Sequence, residues 1–441
     1  MNAEIKPIKT TAEQALAAHY EAAKKRLPGG PEAVHLRERA FQSFMADGLP
    51  HRRVEEWKYT DLRTILREAL PLAAPASTSA IAALRAANPL AGAGLRSLVF
   101  VNGAFAPDLS DLGSLEKKVT VLPLAAGLSS KHPLTRRIGT LRAETHDPTL
   151  TLNTAFLNDG ALIEVGEGGA TERPIHIRHV FTGDAASTFT RSLCVVGNGA
   201  QADIIETFEG PDGVAYQANS AMELHVGDKA RVSLVRFQAE GDGALHLSSL
   251  IAEIGAGAEF DLGGLTLGAA VSRHTGFLRF GGEHTNARLS GAILLRGKQH
   301  GDTTLVLDHA VPNCTSRETF RTVLDESARG IVQGRIVVQP DAQKTDARMS
   351  LGALLLSEGA EANQKPELEI FADDVQCAHG ATSGAIDKQL LFYLMARGIS
   401  RKEAEALLVQ AFFGQALDQV PNEAVREVLN TRAANWLAAR T

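Results

Sequence analysis

The sequence predicts a mainly β fold, a right-handed parallel β-solenoid (β-helix) core flanked by N-terminal and C-terminal helical domains. Three observations predict it. From about residue 149 to 370 the chain consists of short β-type runs separated by glycine-rich turns. Within that stretch a Gly-x-x-Ala-x-apolar pattern recurs at Gly199/Ala202/Ile204, Gly227/Ala230/Val232 and Gly255/Ala258/Phe260, then as His284/Ala287/Leu289, with the alanines 28, 28 and 29 residues apart. Both ends of the chain carry helix caps and helical periodicity instead.

Each period holds two strand-like runs, for example Ala221 to Val226 followed by Ala230 to Phe237. Two strands and two turns make one coil, in which a small residue fits a tight corner and neighbouring coils bury each other's inward faces. About seven coils fit, a rod roughly 35 Å long at about 4.8 Å per coil. A β-sandwich with coincidental Gly-Ala spacing is the alternative that the pattern leaves open.

Along the chain, residues 1–95 form an N-terminal helical region with a linker. Thr10 and Glu13 have capping-box spacing, Pro28-Gly29-Gly30-Pro31 breaks the first helix, and a second runs from Pro31 to Met45. A polar-aromatic stretch, Arg52 to Asp61, leads into a helix-like Leu62 to Leu70 and an Ala/Pro/Ser-rich loop to about residue 94. Residues 96–148 are a connecting segment with a hairpin signature, Leu98 to Phe105 turning at Asn102-Gly103. The solenoid is expected over 149–372, and an interface strand with a C-terminal helical domain over 373–441. In that last part Gly398 stops one helix, Ser400 and Glu403 pair as a capping box, and Pro421 takes a first-turn position. Its apolar cluster Leu407, Leu408, Val409, Phe412 and Phe413 suits either packing on the rod or a docked partner.

Composition removes several classes. With 441 residues, 44% hydrophobic and 22% charged, the chain can bury a large core, so wholesale disorder is excluded. Lys plus Arg is 45 against 51 Asp plus Glu, and this net charge of -6 argues against a nucleic-acid binder. The first twenty residues lack a basic flank followed by an apolar run, and the longest uncharged run, Ala69 to Leu84, is broken by Pro71 and Pro75. The expectation is therefore a cytoplasmic protein without a membrane segment. No nucleotide cradle, zincin helix or nucleophile elbow motif occurs, so any ATP use belongs to a partner.

Cys194, Cys314 and Cys377 lie far apart with no CxxC pair, which argues against a disulfide framework and against a self-contained zinc site. Most of the 14 histidines, including His176, His179, His225, His246 and His274, fall in β runs, where a core-satisfied imidazole is the ordinary reading. Two places combine Cys with His. His309 and Cys314 flank a Pro-Asn turn without a third ligand. In Asp373-Asp374-Val375-Gln376-Cys377-Ala378-His379, an extended backbone puts Asp373, Cys377 and His379 on one face. Thiolate with imidazole suits zinc, iron or iron–sulfur species, and an edge strand allows another chain to complete the ligand set. A catalytic Cys–His pair, and a buried Cys beside a hydrogen-bonded His, are the competing readings.

Several segments together resemble the SufB/SufD family: Glu55-Glu56-Trp57-Lys58-Tyr59-Thr60-Asp61, Leu152-Asn153-Thr154-Ala155-Phe156, Ala328 to Arg335 followed by Lys344-Thr345-Asp346-Ala347, Cys377 to Thr382, Leu391 to Leu394, and Arg397-Gly398-Ile399. The resemblance runs from about residue 50 to 415 in family order. It implies a β-solenoid scaffold, not an enzyme, that assembles nascent iron–sulfur clusters with a SufB partner and the ATPase SufC. Ala360, where SufB-type chains carry a Cys, and the shorter length put this chain on the SufD side of the family. The resemblance implies that His379 faces a SufB thiol across a heterodimer interface, with Cys377 beside it, so that iron or a transient cluster is held between subunits. It also implies that the C-terminal helices dock SufC, that ATP-driven SufC dimerisation shifts the interface, and that this branch supports iron acquisition. Trp57 and Tyr59 carry the resemblance with a core or domain-docking role. The alternatives from other classes are a homodimeric β-solenoid metal-binding or interaction protein and a β-solenoid carbohydrate-active enzyme. The latter is disfavoured because no Asp or Glu ladder runs through the repeats.

Overall fold

A computed structural model describes residues 9–141 and 147–440. Among them, sixteen strands wind through eight turns of a parallel β-solenoid, one turn more than the repeat suggests. One sheet stacks β4 (Ala161–Val165), β6 (Ser187–Val196), β8 (Gln217–Val226), β10 (Leu245–Ile254), β12 (Val271–Phe280), β14 (His300–His309), β16 (Arg329–Val338) and β18 (Glu361–Ile370). The other stacks β5 (Ile175–Val180), β7 (Gln201–Glu209), β9 (Arg231–Ala239), β11 (Glu259–Thr266), β13 (Asn286–Leu295), β15 (Thr315–Leu324), β17 (Asp346–Leu355) and β19 (Gln376–Gly384). Alternate side chains of both sheets point into one shared core that includes Ile177, Ile204, Leu234, Leu262, Leu289 and Met349. The first sheet starts from an antiparallel β3 (Val119–Pro123), and the second from β1 (Arg96–Val101), which turns into β2 (Ala104–Phe105). Asn102 and Gly103 take φ of 53° and 75°, the hairpin turn that the sequence announces.

The register corrects how the repeat aligns. The corner after β6 is Gly197-Asn198-Gly199-Ala200, which stacks on Gly227-Asp228-Lys229-Ala230 and Gly255-Ala256-Gly257-Ala258, so Gly199/Ala202 belongs two residues earlier. Ala287 pairs with Phe260 instead of Ala258, because Thr285 is the residue level with Ala258 and Ala287 lies two positions further on. A Cβ on Gly227 would meet the Asn198 nitrogen at 2.7 Å and one on Gly255 the Asp228 nitrogen at 2.8 Å, so close stacking of corner backbones excludes any side chain there. Ala200, Ala230 and Ala258 fill the corner with a single buried methyl each.

Helices cover both outer faces. On the first sheet, α1 (Thr11–Ala23) and α2 (Pro31–Asp47) lie with α6 (Pro148–Ala155). Thr10 and Glu13 form the expected reciprocal cap, and Pro31 opens α2. Tyr20 stacks on Phe41 at 4.0 Å, and Phe156 stacks on Phe189 of β6 at 4.4 Å. The expected helix over 62–70 is only α3 (Leu62–Ile65), because Pro71 holds its neighbourhood extended and Leu72 bridges to Ser187 of β6. The Ala/Pro/Ser stretch is fixed, not loose: it contains α4 (Thr78–Leu84), and Arg178 bonds the carbonyls of Leu84 and Ala87. Residues 148–155 are helical although the β texture is expected from 149, and α5 (Leu124–Ser130) follows β3.

On the second sheet, α8 (Arg401–Leu417) and α9 (Glu423–Ala438) bury Val409, Phe413, Leu417, Val425 and Leu429 against Val235, Phe237, Leu265 and Leu294. Ser400 and Glu403 cap α8 reciprocally, whereas Pro421 precedes Asn422, the residue that caps α9. Among the described residues, no helix is long and apolar enough to cross a membrane.

Candidate metal and partner interface

The eighth turn has nothing stacked on it among the described residues: β18 and β19 are the outermost strands of their sheets. One turn deeper, β16 is mostly buried and β17 buries its inward residues, while β18 and β19 are half-buried to exposed throughout. The solenoid therefore ends with two unpaired backbone edges and an open core. β19 is part of the solenoid itself, paired in parallel with β17 from Gln376 to Gly384.

Cys377 and His379 sit in that last turn, in register with Ala347 and Met349, whose side chains are in the core. Both therefore project into the mouth of the solenoid, i and i+2 on one face. Cys377 is half-buried and packs against the solenoid core, as do Ala360, Ala362, Leu368 and Val375 of the same turn, and His379 is exposed. Burial, with a smaller push from the Asp346 charge, raises the Cys377 thiol, so at neutral pH it rests as S–H. Asp373 does not join them: β19 begins at Gln376, and Asp373 lies in the preceding corner beside Asp374, which pairs with Lys344.

The other Cys–His pair is closed to ligands. His309 stacks on Phe280 at 4.1 Å, bonds Ser316 Oγ at 3.0 Å, and burial pushes it down to about 4. Cys314 is buried and donates to the carbonyls of Gly282 and Pro312, both at 3.4 Å. Among the described residues, no three His, Cys, Asp or Glu side chains are grouped closely enough to hold a metal, so the mouth carries an incomplete set.

Two features escaped sequence reasoning. One is Glu318, in register below Met349 and so two strands beneath His379, fully enclosed, with neither carboxyl oxygen bonded. Desolvation pushes it up to about 8. The second is the set of partners that attach the Glu55–Asp61 stretch, of which only a core or domain-docking role for Trp57 and Tyr59 was expected. The Arg273 guanidinium of β12 covers the Trp57 ring at 3.9 Å, donates to the Glu56 carbonyl at 2.7 Å and pairs with Asp302 of β14. Thr60 bonds both Asp302 and, at 2.9 Å, His300. Glu55 reaches Lys365 of β18 at 2.6 Å. Asn153 similarly bonds the carbonyls of Thr190 and Asn219, tying α6 to the first sheet. These stretches fasten helices to the rod.

On the C-terminal side the apolar cluster divides. Val409 and Phe413 pack on the rod, whereas Leu407 remains exposed, and α7 (Lys388–Met395) presents Leu390, Phe392, Tyr393 and Met395 to solvent, Phe392 at 73% exposure. This apolar face lies next to the open end, since α7 follows β19 directly.

These features define a β-solenoid protein whose last turn is left unfinished, with a thiol and an imidazole at the opening. A family model for the SUF system FeS cluster assembly SufBD core domain matches residues 179–412, and one for the SufBD protein N-terminal region matches residues 10–177. The chain belongs to the SufBD family of iron–sulfur cluster assembly proteins. It is 31% identical over 403 residues to an iron–sulfur cluster assembly SufBD family protein of Synechocystis, spanning 88% of this chain and 87% of the relative. It is 28% identical to the iron–sulfur cluster assembly protein SufD of Escherichia coli, over 90% of this chain and 91% of that one. SufD of Bacillus subtilis is 26% identical over 66% of each.

Proposed function

We propose that this chain is the non-catalytic, SufD-type scaffold subunit of a cytoplasmic Suf assembly complex. Through the free edges of β18 and β19 it pairs with SufB, and through α7 and the neighbouring C-terminal helices it docks the ATPase SufC, while the chain itself binds no nucleotide. His379, with Cys377 beside it, offers ligands to iron or a nascent iron–sulfur cluster, which is the complex's cargo and not a resident cofactor. The observation that carries this reading is the placement of Cys377 and His379 at the open mouth, where the incomplete ligand set and the unpaired edges coincide. A partner strand added to each edge would complete both the hydrogen bonding and the coordination.

Anaerobic co-purification with SufB and SufC tests it, wild type against His379→Ala, with iron and acid-labile sulfide counted after reconstitution. The expected result is that both proteins form the complex and the variant loses iron and sulfide. A wild-type chain that captures neither partner overturns the reading and leaves a homodimeric metal-binding rod as the one to test.

A further inference from the structure

Glu318 is 2% exposed, and neither of its carboxyl oxygens has a partner among the described residues. Other enclosed glutamates are paired: Glu206 with Arg236 at 2.8 Å, Glu223 with Arg191 at 2.7 Å and Glu240 with His246 at 2.7 Å. Burial without a partner holds Glu318 in its uncharged form and costs stability, so packing gives no reason for a carboxyl at this position.

Its place in the fold supplies one. An inward column of the second sheet reads Leu289, Glu318, Met349, His379, one residue per turn toward the open end. Glu318 thus lies two strand spacings, about 10 Å, beneath His379. Along the inward strand positions of the last three turns, β14 to β19, it is the one acidic residue. The opposing strand leaves the column room: a Cβ on Gly334 of β16 would stand 2.6 Å from Met349 Sδ and 3.5 Å from Glu318 Oε2, so thioether and carboxyl end in the same gap. Met349 separates Glu318 from His379, and the carboxyl can reach the mouth by its charge but not as a ligand. Of the strands packed against Glu318, β14 presents His309, which bonds Ser316 and is kept neutral by burial. β13, β16 and β17 present Leu289, Gly334 and Met349, none of them titratable, and beyond these only Cys377 and His379 remain on β19.

A divalent cation at the mouth meets a neutral imidazole and at most one thiolate from this chain, so at least one positive charge is left against an apolar core. We propose that Glu318 is the buried counter-charge of that site: it rests protonated, and as the cation arrives at His379 the carboxyl O–H breaks, the proton leaves to water through the open mouth, and the carboxylate stays behind to balance the ion. This rests on the reading of the mouth as a metal site, and it makes cation uptake release a proton from the core in addition to any from the ligands. At about 10 Å, across a medium of effective dielectric constant about 20, a divalent ion favours the ionised carboxyl more than about a hundredfold.

Zinc is the probe, titrated calorimetrically into the full chain paired with SufB, in two buffers of different ionisation heat so that released protons are counted. Near neutral pH the wild type should bind zinc at least about tenfold more tightly than Glu318→Gln and release about one proton more. The gap should widen from about pH 6 to about pH 8, because at the acid end Glu318 keeps its proton in both states. Infrared spectra give a direct readout: a protonated-carboxyl band missing from Glu318→Gln should vanish from the wild type on adding zinc and persist in His379→Ala. Glu318→Leu, a second neutral variant, should behave as Glu318→Gln does. Equal affinity and proton count in wild type and Glu318→Gln, with zinc still lost in His379→Ala, overturn the counter-charge and leave the metal-site reading standing. Zinc binding that ignores His379→Ala overturns both.

Discussion

The Arg273 guanidinium sits 3.9 Å from the centre of the Trp57 ring, and this contact joins the N-terminal region to the middle of the rod. Both residues are buried, Trp57 at 2% and Arg273 at 1% exposure, and Arg273 also neutralises the buried Asp302. The Glu55–Asp61 stretch is thus a fastening, with its carbonyl, ring and hydroxyl each assigned to a group on β12 or β14.

Trp57→Ala should cost about 3–5 kcal/mol in chemical denaturation, the range for deleting a buried aromatic side chain. Arg273→Met should cost a similar amount, about 3–5 kcal/mol, because Asp302 is left charged and unpaired in the interior. Combining Arg273→Met with Asp302→Leu should recover most of that loss. A double variant as unstable as Arg273→Met alone would show that the ion pair is not the source.

Glu318 makes stability depend on pH. Its folded value, about 8, lies above that of an unfolded glutamate, so the neutral form is the one compatible with the fold. Its favourable term is complete below about pH 4 and is lost as pH rises, until the folded carboxyl itself ionises near 8. Glu318→Gln, neutral at every pH, should therefore gain on the wild type from pH 5 to 8, by at most about 1.4 kcal/mol per pH unit. Urea midpoints at pH 5, 6.5 and 8 measure this, and parallel curves for the two proteins would contradict it.

The corners yield a contrast of sign. Gly227→Ala drives a Cβ onto the backbone of the turn beneath and should destabilise by about 1–3 kcal/mol. Two residues on, Lys229 holds φ of 57°, so Lys229→Gly removes strain and should leave stability unchanged or raise it by up to about 1 kcal/mol. Thermal unfolding separates the two.

That contrast also explains how far the solenoid was readable. The left-handed corner position is occupied by Gly199 and Gly257, but equally by Lys229, His284, Asn313 and Lys344, so the motif fades after Ala287 although the corner persists. Register offsets range from 26 residues between β10 and β12 to 32 between β16 and β18, which hides the later turns from a fixed period. Cys377 and His379 were legible because i and i+2 on a strand share a face whatever lies around them. Asp373 was misplaced because a strand's first residue is set by the preceding corner. Glu318 was invisible because its enclosure arises from stacking residues about thirty positions apart.

On α7, Phe392 is 73% and Tyr393 54% exposed, so neither contributes much to the fold. Phe392→Ala/Tyr393→Ala should change stability by less than about 0.5 kcal/mol and weaken SufC capture at least about tenfold. Pull-down with purified SufC decides it, and undiminished capture would move the docking site elsewhere.

At the open edge, Ala381 of β19 follows His379 by two residues and stands above Leu351, facing the mouth in the same inward register. It is exposed in the isolated chain, so Ala381→Lys should unfold within about 0.5 kcal/mol of wild type. Once a partner strand covers the edge, the same lysine is enclosed between two solenoid mouths with no carboxylate assigned to it, and a buried unpaired charge costs several kcal/mol. Analytical ultracentrifugation with SufB should then show a stable wild-type pair and a variant that stays apart. If the variant pairs as tightly as wild type, the solenoid mouth is not the interface, and the proposed role of His379 across it falls.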